Sequence, residues 1–228
     1  MVHTRANHSI SAGFEKRLLV AIAAKLPASV SSDHLTTLAL AAMVGAGVAF
    51  AFISRSPWFA VLVAAMMAVN WFGDSLDGTL ARVRNQQRPR YGYYIDHVID
   101  LGGTAALVGG MAASEVMTPA IAFVMLAAYL LVAAESFLGT HALGVFRMSF
   151  AGVGPTELRI LLAIGAFKVA ASPRVSLAGA DLFLLDVAGV IAAIGLIAAF
   201  LVSAIRNGAA LSAAEPRPAR PGDDNRPS

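Results

Sequence analysis

Long segments with almost no charge constrain the fold of this chain more than any other feature. Residues 35–54 contain no charged side chain, and a helix of about 20 residues crosses the roughly 30 Å hydrocarbon core of a bilayer. Of the 228 residues, 57% are hydrophobic and only 14% are charged. In lipid, a single segment satisfies its own backbone polar groups only as a helix. The sequence therefore predicts an all-α, polytopic membrane protein.

Proline, glycine and polar residues divide the apolar sequence into six predicted transmembrane helices. These are residues 35–54, 57–82, 92–114, 116–139, 155–171 and 181–205. Residues 14–26 have an apolar residue at every fourth position with charged residues between them, which is typical of an amphipathic helix in the membrane interface. A signal peptide is the alternative for this segment, because basic residues precede a short apolar run. We therefore expect an N-terminal segment at 1–30, a membrane domain at 31–206, and a disordered, proline-rich tail at 207–228.

Basic residues are distributed unevenly between the two ends of these predicted helices. Six spans put both termini on the same side, and only Arg55, Lys168 and Arg174 then fall on the opposite side. Since basic loops stay inside, the sequence predicts cytoplasmic termini and a cytoplasmic loop at 83–91, in the inner membrane of a cell. The net charge of +3 is thereby explained by orientation and anionic lipid headgroups, without nucleic acid. Cysteine is absent, which excludes disulfides and thiolate metal sites.

Four aspartates at the ends of the second and third predicted helices point to chemistry. In each pair the two carboxylates are about one helical turn apart, and the short loop between the helices favours side-by-side packing. Carboxylates at membrane depth are costly unless they face a polar cavity, pair with cations or bind metal. An all-oxygen site suits Mg²⁺ or Mn²⁺, and two such ions can grip a diphosphate during phosphoryl transfer. The predicted metal ligands are Asp74, Asp77, Asp96 and Asp100.

Small residues and an arginine accompany these aspartates. Gly78 follows the second aspartate, where a missing side chain lets a ligand approach the backbone, and Gly92 stands one turn before Asp96. Ala81 is small and lies one turn after Asp77, and Arg82 can bind phosphate oxygens through its guanidinium fork. The purely structural alternative, helix caps and topology signals, does not explain all of these residues in this register.

Two segments match the motif D-x2-D-G-x2-A-R…G-x3-D-x3-D at every position. They are DSLDGTLAR at 74–82 and GYYIDHVID at 92–100, separated by nine residues. In this motif and its six-helix layout the chain resembles the CDP-alcohol phosphatidyltransferase family. The resemblance implies displacement of CMP from a CDP-linked alcohol by the hydroxyl of a second alcohol, and a homodimer. It implies that Asp96 and Asp100 are catalytic, with Asp100 as general base on the incoming hydroxyl. The nucleotide pocket that it implies is lined by Gly78, Ala81, Arg82 and Gly92, with Thr36 and Asp33 from the first span.

The substrates are less constrained than the reaction. CDP-diacylglycerol is the expected donor, and the alternative is a CDP-choline or CDP-ethanolamine type of donor acting on a lipid alcohol. In a different functional class, the aspartates would form the transit site of a divalent-cation transporter. Arginines near the acceptor favour glycerol phosphate or inositol phosphate, whereas carboxylates favour an amine such as serine. A carboxylate at residue 135 also requires a cationic partner or a substrate. The candidate acceptor-binding residues are Arg147, Glu157, Arg159, Glu135 and Arg206.

Overall fold

The computed structural model describes residues 12–143, 155–177 and 179–215. Within these ranges the chain is all-α apart from one short hairpin. The elements are α1 (Ala12–Lys25), α2 (Ser32–Ala51), α3 (Trp58–Val83), α4 (Pro89–Ala112), α5 (Pro119–Leu143), α6 (Pro155–Ala171), β1 (Arg174–Leu177), β2 (Ala180–Phe183) and α7 (Leu184–Ala214).

Four of the described helices are long and apolar enough to cross a membrane, namely α2, α3, α5 and α7. The other two predicted spans fall short of that description for different reasons. α6 has only 17 residues, and the first half of α4 carries Arg90, Asp96 and Asp100. The all-α fold is therefore confirmed, whereas the count of six spans stays a prediction.

The helices pack in the spatial order α6, α3, α2, α4, α5 and α7. α2 packs against both α3 and α4, α6 lies on α3, and α5 joins α4 to α7. The largest apolar core draws on all of these helices, with Phe50, Val63, Met111 and Val169 among its buried members. α2 and α4 approach so closely that a Cβ on Gly110 would lie 1.9 Å from the carbonyl oxygen of Gly47. Because α3 and α4 both pack on α2, this crossing determines how Asp96 and Asp100 of α4 lie relative to the aspartates of α3.

Both ends of the last helix differ from the sequence prediction. A two-stranded antiparallel hairpin occupies residues 174–183, so the last helix begins at Leu184 and not near residue 181. It continues to Ala214, where four of the eight residues 207–214 are alanine, the residue that most favours helix. The predicted disordered tail therefore starts too early, and its remainder from residue 216 lies outside the described residues.

The N-terminal helix α1 packs on α3 through a small apolar cluster. Leu19 and Ala23 of α1 are buried there beside Leu76 and Leu80 of α3. Leu18, which the sequence analysis places on the apolar stripe, is 43% exposed. α1 therefore buries only part of the predicted stripe, since Ile22 and Leu26 pack on the cluster while Leu18 does not. Its interfacial position in the membrane stays a prediction.

Arg84, at the end of α3, holds the segment that follows α1. Its guanidinium donates to the carbonyl oxygens of Leu26 and Pro27, both at 2.9 Å, and to that of Val30 at 2.5 Å. These carbonyl oxygens lie just beyond the C-terminal end of α1, where a cation is favourable. The arginine therefore fastens α1 and its linker to the end of α3.

We expect Arg84→Met to loosen α1 without unfolding the membrane helices. Hydrogen bonds to a charged group contribute about 1.5–3 kcal/mol each in general, and even one lost bond would raise local opening about tenfold. Trypsin cleavage after Lys25, followed by mass spectrometry, should accelerate accordingly. Arg90→Met is the matched control, since Arg90 is exposed at the start of α4. Equal cleavage rates in the two variants would contradict the anchoring role.

Candidate metal and nucleotide site

The end of α3 and the first half of α4 bring three of the predicted carboxylates together. Asp74, Asp96 and Asp100 each offer one carboxylate oxygen, and these three oxygens lie within 4.8 Å of one another. Hard carboxylate oxygens gathered at one point are the donors that Mg²⁺ and Mn²⁺ prefer. The donor set therefore fits a divalent cation, and mutual repulsion of the three charges gives the site a strong need for one.

Asp77 lies outside this group of three. The Thr36 hydroxyl on α2 is 2.7 Å from its Oδ2, and the backbone N–H of Gly78 donates to its Oδ1. Ser32 donates to the Asp77 carbonyl oxygen at 2.7 Å. Asp77 still experiences the charges of Asp74 and Asp96. The structure thus places it at the contact between α2 and α3, beside the cluster, and its predicted role as a metal ligand stays a prediction.

Arg159, predicted to bind the acceptor, is in contact with the acidic cluster itself. Its Nη2 donates to Asp74 Oδ2 at 2.7 Å, and its Nε donates to Asn70 Oδ1 at 2.7 Å. Asn70 in turn donates to the backbone carbonyl oxygen of Ala39 on α2 at 2.9 Å. Sequence reasoning missed Asn70, although an amide in the apolar run of α3, one turn before Asp74, was a usable signal.

His97 is a second residue that sequence reasoning missed. It is buried, its Nδ1 lies 2.8 Å from the carbonyl oxygen of Tyr93, and the same nitrogen is 3.7 Å from Asp96 Oδ2. Its ring packs against those of Tyr93 and Phe137, with centroids 4.2 and 5.1 Å away. The ring therefore links α4 to α5 next to the acidic cluster.

The predicted nucleotide-binding residues lie around the end of α3. A Cβ on Gly78 would meet Nη1 of Arg82 at 3.3 Å, and Arg82 donates to the Thr79 hydroxyl at 3.0 Å. Ala81 is partly buried in the same turn. Gly92 borders open space, since a Cβ there would meet nothing within 4 Å. The open space at Gly92 leaves room for a ligand near the start of α4, whereas the Arg82 guanidinium lies over Gly78.

Asp33 pairs with Arg88 of the α3–α4 loop. Nη2 of Arg88 is 2.5 and 2.6 Å from the two carboxylate oxygens, and its guanidinium lies 3.9 Å from the centroid of the Tyr91 ring. The hydrogen bond to Asp33 raises the pKa of Arg88. Both side chains are about half exposed, so the bridge contributes little stability. It borders an open pocket of about 460 Å³ lined also by Ser31, Ser32, Gln86 and Gln87.

The remaining acceptor candidates are dispersed. Glu135 accepts hydrogen bonds from Ser203 at 2.6 Å and Asn207 at 2.7 Å, both on α7. Among the described residues the partners of Glu135 are thus two neutral donors and not the cation that was one of the two expectations, while a substrate contact at this carboxylate stays a prediction. Glu157 lies in the first turn of α6, Arg206 is exposed on α7, and Arg147 lies outside the described residues.

Fold and site together define an all-α membrane protein with an acidic, oxygen-rich site at the junction of two helices. A family model described as CDP-alcohol phosphatidyltransferase matches residues 30–205, well over half of the chain. The chain belongs to this family, and the resemblance seen in its motif is confirmed. A comparison with curated proteins gives no match. Membership makes the chain a transferase of phospholipid synthesis that moves a head group from a CDP-alcohol, in a family that generally uses divalent metals.

Proposed function

We propose that this protein transfers a phosphatidyl group from CDP-diacylglycerol to the hydroxyl of a small polar alcohol and releases CMP. The observation that carries the proposal is the convergence of Asp74, Asp96 and Asp100 within 4.8 Å, at the end of a helix long enough to span the membrane. A site at that position can bind a nucleotide from water while the acyl chains of its donor remain in lipid.

The reaction exchanges one bond at phosphorus for another. The oxygen of the incoming hydroxyl attacks the phosphorus that carries the diacylglycerol, and the bond from that phosphorus to the bridging oxygen of CMP breaks. Asp74, Asp96 and Asp100, with Asp77 beside them, would hold Mg²⁺ or Mn²⁺. When bound, such ions neutralise charge on the diphosphate and on the departing CMP.

The protein's own residues position and deprotonate the reactants. Asp100 accepts the proton of the incoming hydroxyl at its carboxylate, as the family resemblance implies. Arg82 binds a phosphate oxygen of the donor, and Gly78 lets the diphosphate approach the backbone. Thr36 holds the Asp77 carboxylate at 2.7 Å, which keeps α2 and the nucleotide pocket in register with α3.

The acceptor class is proposed as glycerol phosphate, inositol phosphate or serine. Arg159 supports a phosphorylated acceptor, because its guanidinium lies beside the acidic cluster, 2.7 Å from Asp74, and has N–H groups beyond the two that bind Asp74 and Asn70. Glu135 gives little support to an amine acceptor, because its two carboxylate oxygens already accept hydrogen bonds from Ser203 and Asn207. A CDP-choline or CDP-ethanolamine type of donor with a lipid alcohol acceptor remains the alternative within the same family.

We also propose six spans, a cytoplasmic site in the inner membrane, and a homodimer. Packing supports the first of these, because α4 lies between α2 and α5, and α6 lies along α3. Helices packed beside spanning helices share their depth. The uneven distribution of basic residues supports the orientation, and the family resemblance supports the dimer.

The direct test is CMP release by the purified protein in detergent micelles or nanodiscs. We expect release with CDP-diacylglycerol, Mn²⁺ or Mg²⁺ and one member of an acceptor panel, and loss of release in EDTA that is reversed by added metal. Mass spectrometry of the lipid product identifies the acceptor. A parallel panel with CDP-choline and diacylglycerol tests the alternative donor. Absence of CMP release from every donor, together with Mn²⁺ flux into liposomes, would favour the transporter instead.

A further inference from the structure

The guanidinium of Arg159, which is distant from the aspartates in sequence, contacts the acidic cluster. Arg159 is on α6, and Asp74 and Asn70 are on α3, four residues apart and therefore on the same helix face. The guanidinium bridges them through its Nε and Nη2, with both donor–acceptor distances at 2.7 Å. A planar fork held at two points has a fixed orientation, which a lysine ammonium could not reproduce.

The bridge is anchored at its other end. Asn70 is 5% exposed, and its Nδ2 donates to the carbonyl oxygen of Ala39 at 2.9 Å. The amide therefore has one hydrogen bond to α2 and one to α6, while it is itself part of α3. The buried partner is neutral, so the charge of Arg159 is directed at Asp74 alone within this network.

The contact with Asp74 leaves a carboxylate oxygen for an ion. Arg159 uses Oδ2 of Asp74, and a carboxylate has two oxygens. The side chains of Arg159 and Asp74 are only 14% and 28% exposed, so water and salt screen their interaction weakly. A cation fixed at this distance offsets part of the repulsion among three carboxylates, and it also repels any divalent ion that the same carboxylates bind.

We propose that Arg159, oriented by Asn70, is the resident counter-ion of the acidic cluster: it holds Asp74 beside Asp96 and Asp100 before ions bind, and it weakens ion binding. Arg159 is then a positioning residue for the metal site as well as a neighbour of the acceptor. This inference rests on the metal site of the proposed function. Its consequence is that ions are held loosely until the negatively charged diphosphate adds further ligands.

The test measures Mn²⁺ binding to the substrate-free protein by electron paramagnetic resonance, and thermal stability in EDTA. Arg159→Gln should bind Mn²⁺ about tenfold more tightly than the unmodified protein, and it should melt at a lower temperature in EDTA. Arg159→Lys keeps the charge but loses the two-point fork, so its Mn²⁺ affinity should lie between those of the unmodified protein and Arg159→Gln. Unchanged or weaker Mn²⁺ binding by Arg159→Gln would overturn the proposal.

A double variant covers the case in which Arg159→Gln accumulates poorly. Asp74→Asn removes one of the repelling charges, so Asp74→Asn/Arg159→Gln should be more stable in EDTA than Arg159→Gln alone. Simple addition of two losses in stability would contradict the pairing. Asp96→Asn distinguishes failure of the metal site from failure of the counter-ion role. If the unmodified protein binds Mn²⁺ no better than Asp96→Asn, the metal site and this proposal both fail. If Asp96→Asn weakens Mn²⁺ binding but Arg159→Gln binds Mn²⁺ as the unmodified protein does, only the counter-ion role fails.

Discussion

Asp96→Asn should lower the rate of CMP release by roughly a thousandfold, which corresponds to about 4 kcal/mol of lost transition-state stabilisation. The substitution keeps the shape of the side chain but replaces one of the three clustered carboxylates by a neutral amide. It removes an anionic ligand from the cluster that would hold the divalent ions, and the amide nitrogen cannot coordinate a cation.

The surroundings of Asp96 make this variant informative about chemistry and not about folding. The neighbouring His97 is held by ring contacts with Tyr93 and Phe137, with centroid distances of 4.2 and 5.1 Å, and an asparagine at residue 96 leaves these ring contacts in place. We therefore expect the melting temperature in EDTA to be unchanged or higher, because one repelling charge is gone. A loss of activity accompanied by unfolding would instead indicate a structural role.

The matched control is Asp181→Asn, the same chemical change at the β-hairpin. Asp181 pairs with Arg174 at 3.0 Å, and both side chains are at least half exposed, so the pair contributes little to stability. CMP release by Asp181→Asn should stay within about twofold of the unmodified protein. If both variants lost activity equally, loss of an aspartate would be acting through overall charge or expression, and the cluster would have no special role.

Much of the helical layout could be predicted because apolar length and proline positions are local signals. The predicted helix at 155–171 coincides with α6, which Pro155 begins. The hairpin at 174–183 could not be predicted in the same way, because its two strands have four residues each. The turn between them depends on Gly179, which has a φ of 84°.

The acidic cluster was predictable in outline, but the separate position of Asp77 was not. Residues three apart on a helix differ in direction by about 60°, and residues four apart by about 40°. Asp96 and Asp100 therefore point nearly together, whereas Asp74 and Asp77 diverge far enough for Asp77 to contact Thr36 on α2. Which neighbour lies in each direction depends on helix packing, and spacing alone does not carry that information.

The contact between Arg159 and Asp74 was beyond sequence reasoning for a related reason. The two residues are 85 positions apart, and the chain between them includes two helices and the segment 144–154. The apolar pattern of α6 predicts a helix without saying which helix it joins. An arginine near a helix start was therefore assigned to the acceptor by its charge, while its actual partners are Asp74 and Asn70.

We expect the largest loss of folding stability from an alanine in place of Gly110, where α2 and α4 cross. A Cβ on Gly110 would lie 1.9 Å from the carbonyl oxygen of Gly47 and 2.4 Å from its carbonyl carbon, and Cβ atoms essentially never approach that closely. Backbone atoms cannot rotate away as a side chain can, so α2 and α4 must move apart. Overpacking typically costs about 1–3 kcal/mol, and a clash with backbone atoms belongs at the upper end of that range.

We expect Gly110→Ala to lower the melting temperature by roughly 6–12 °C, from about 2–4 °C for each kcal/mol in a chain of this size. The neighbouring Gly109→Ala is the control, because a Cβ there meets nothing within 4 Å. It should leave stability unchanged or raise it by about 0.5–1 kcal/mol, since alanine favours helix over glycine. Thermal unfolding in detergent, followed by circular dichroism, measures both variants side by side.

Gly110→Ala should also impair catalysis in the fraction that still folds, because the crossing determines where α4 carries Asp96 and Asp100. α3 packs on α2, and α4 is set against that same helix, so widening the α2–α4 contact moves two carboxylates relative to Asp74. Metal affinity of the folded Gly110→Ala protein should therefore fall, while that of Gly109→Ala should not. Equal stability and equal Mn²⁺ affinity in the two variants would show that the crossing is looser than the 1.9 Å approach implies.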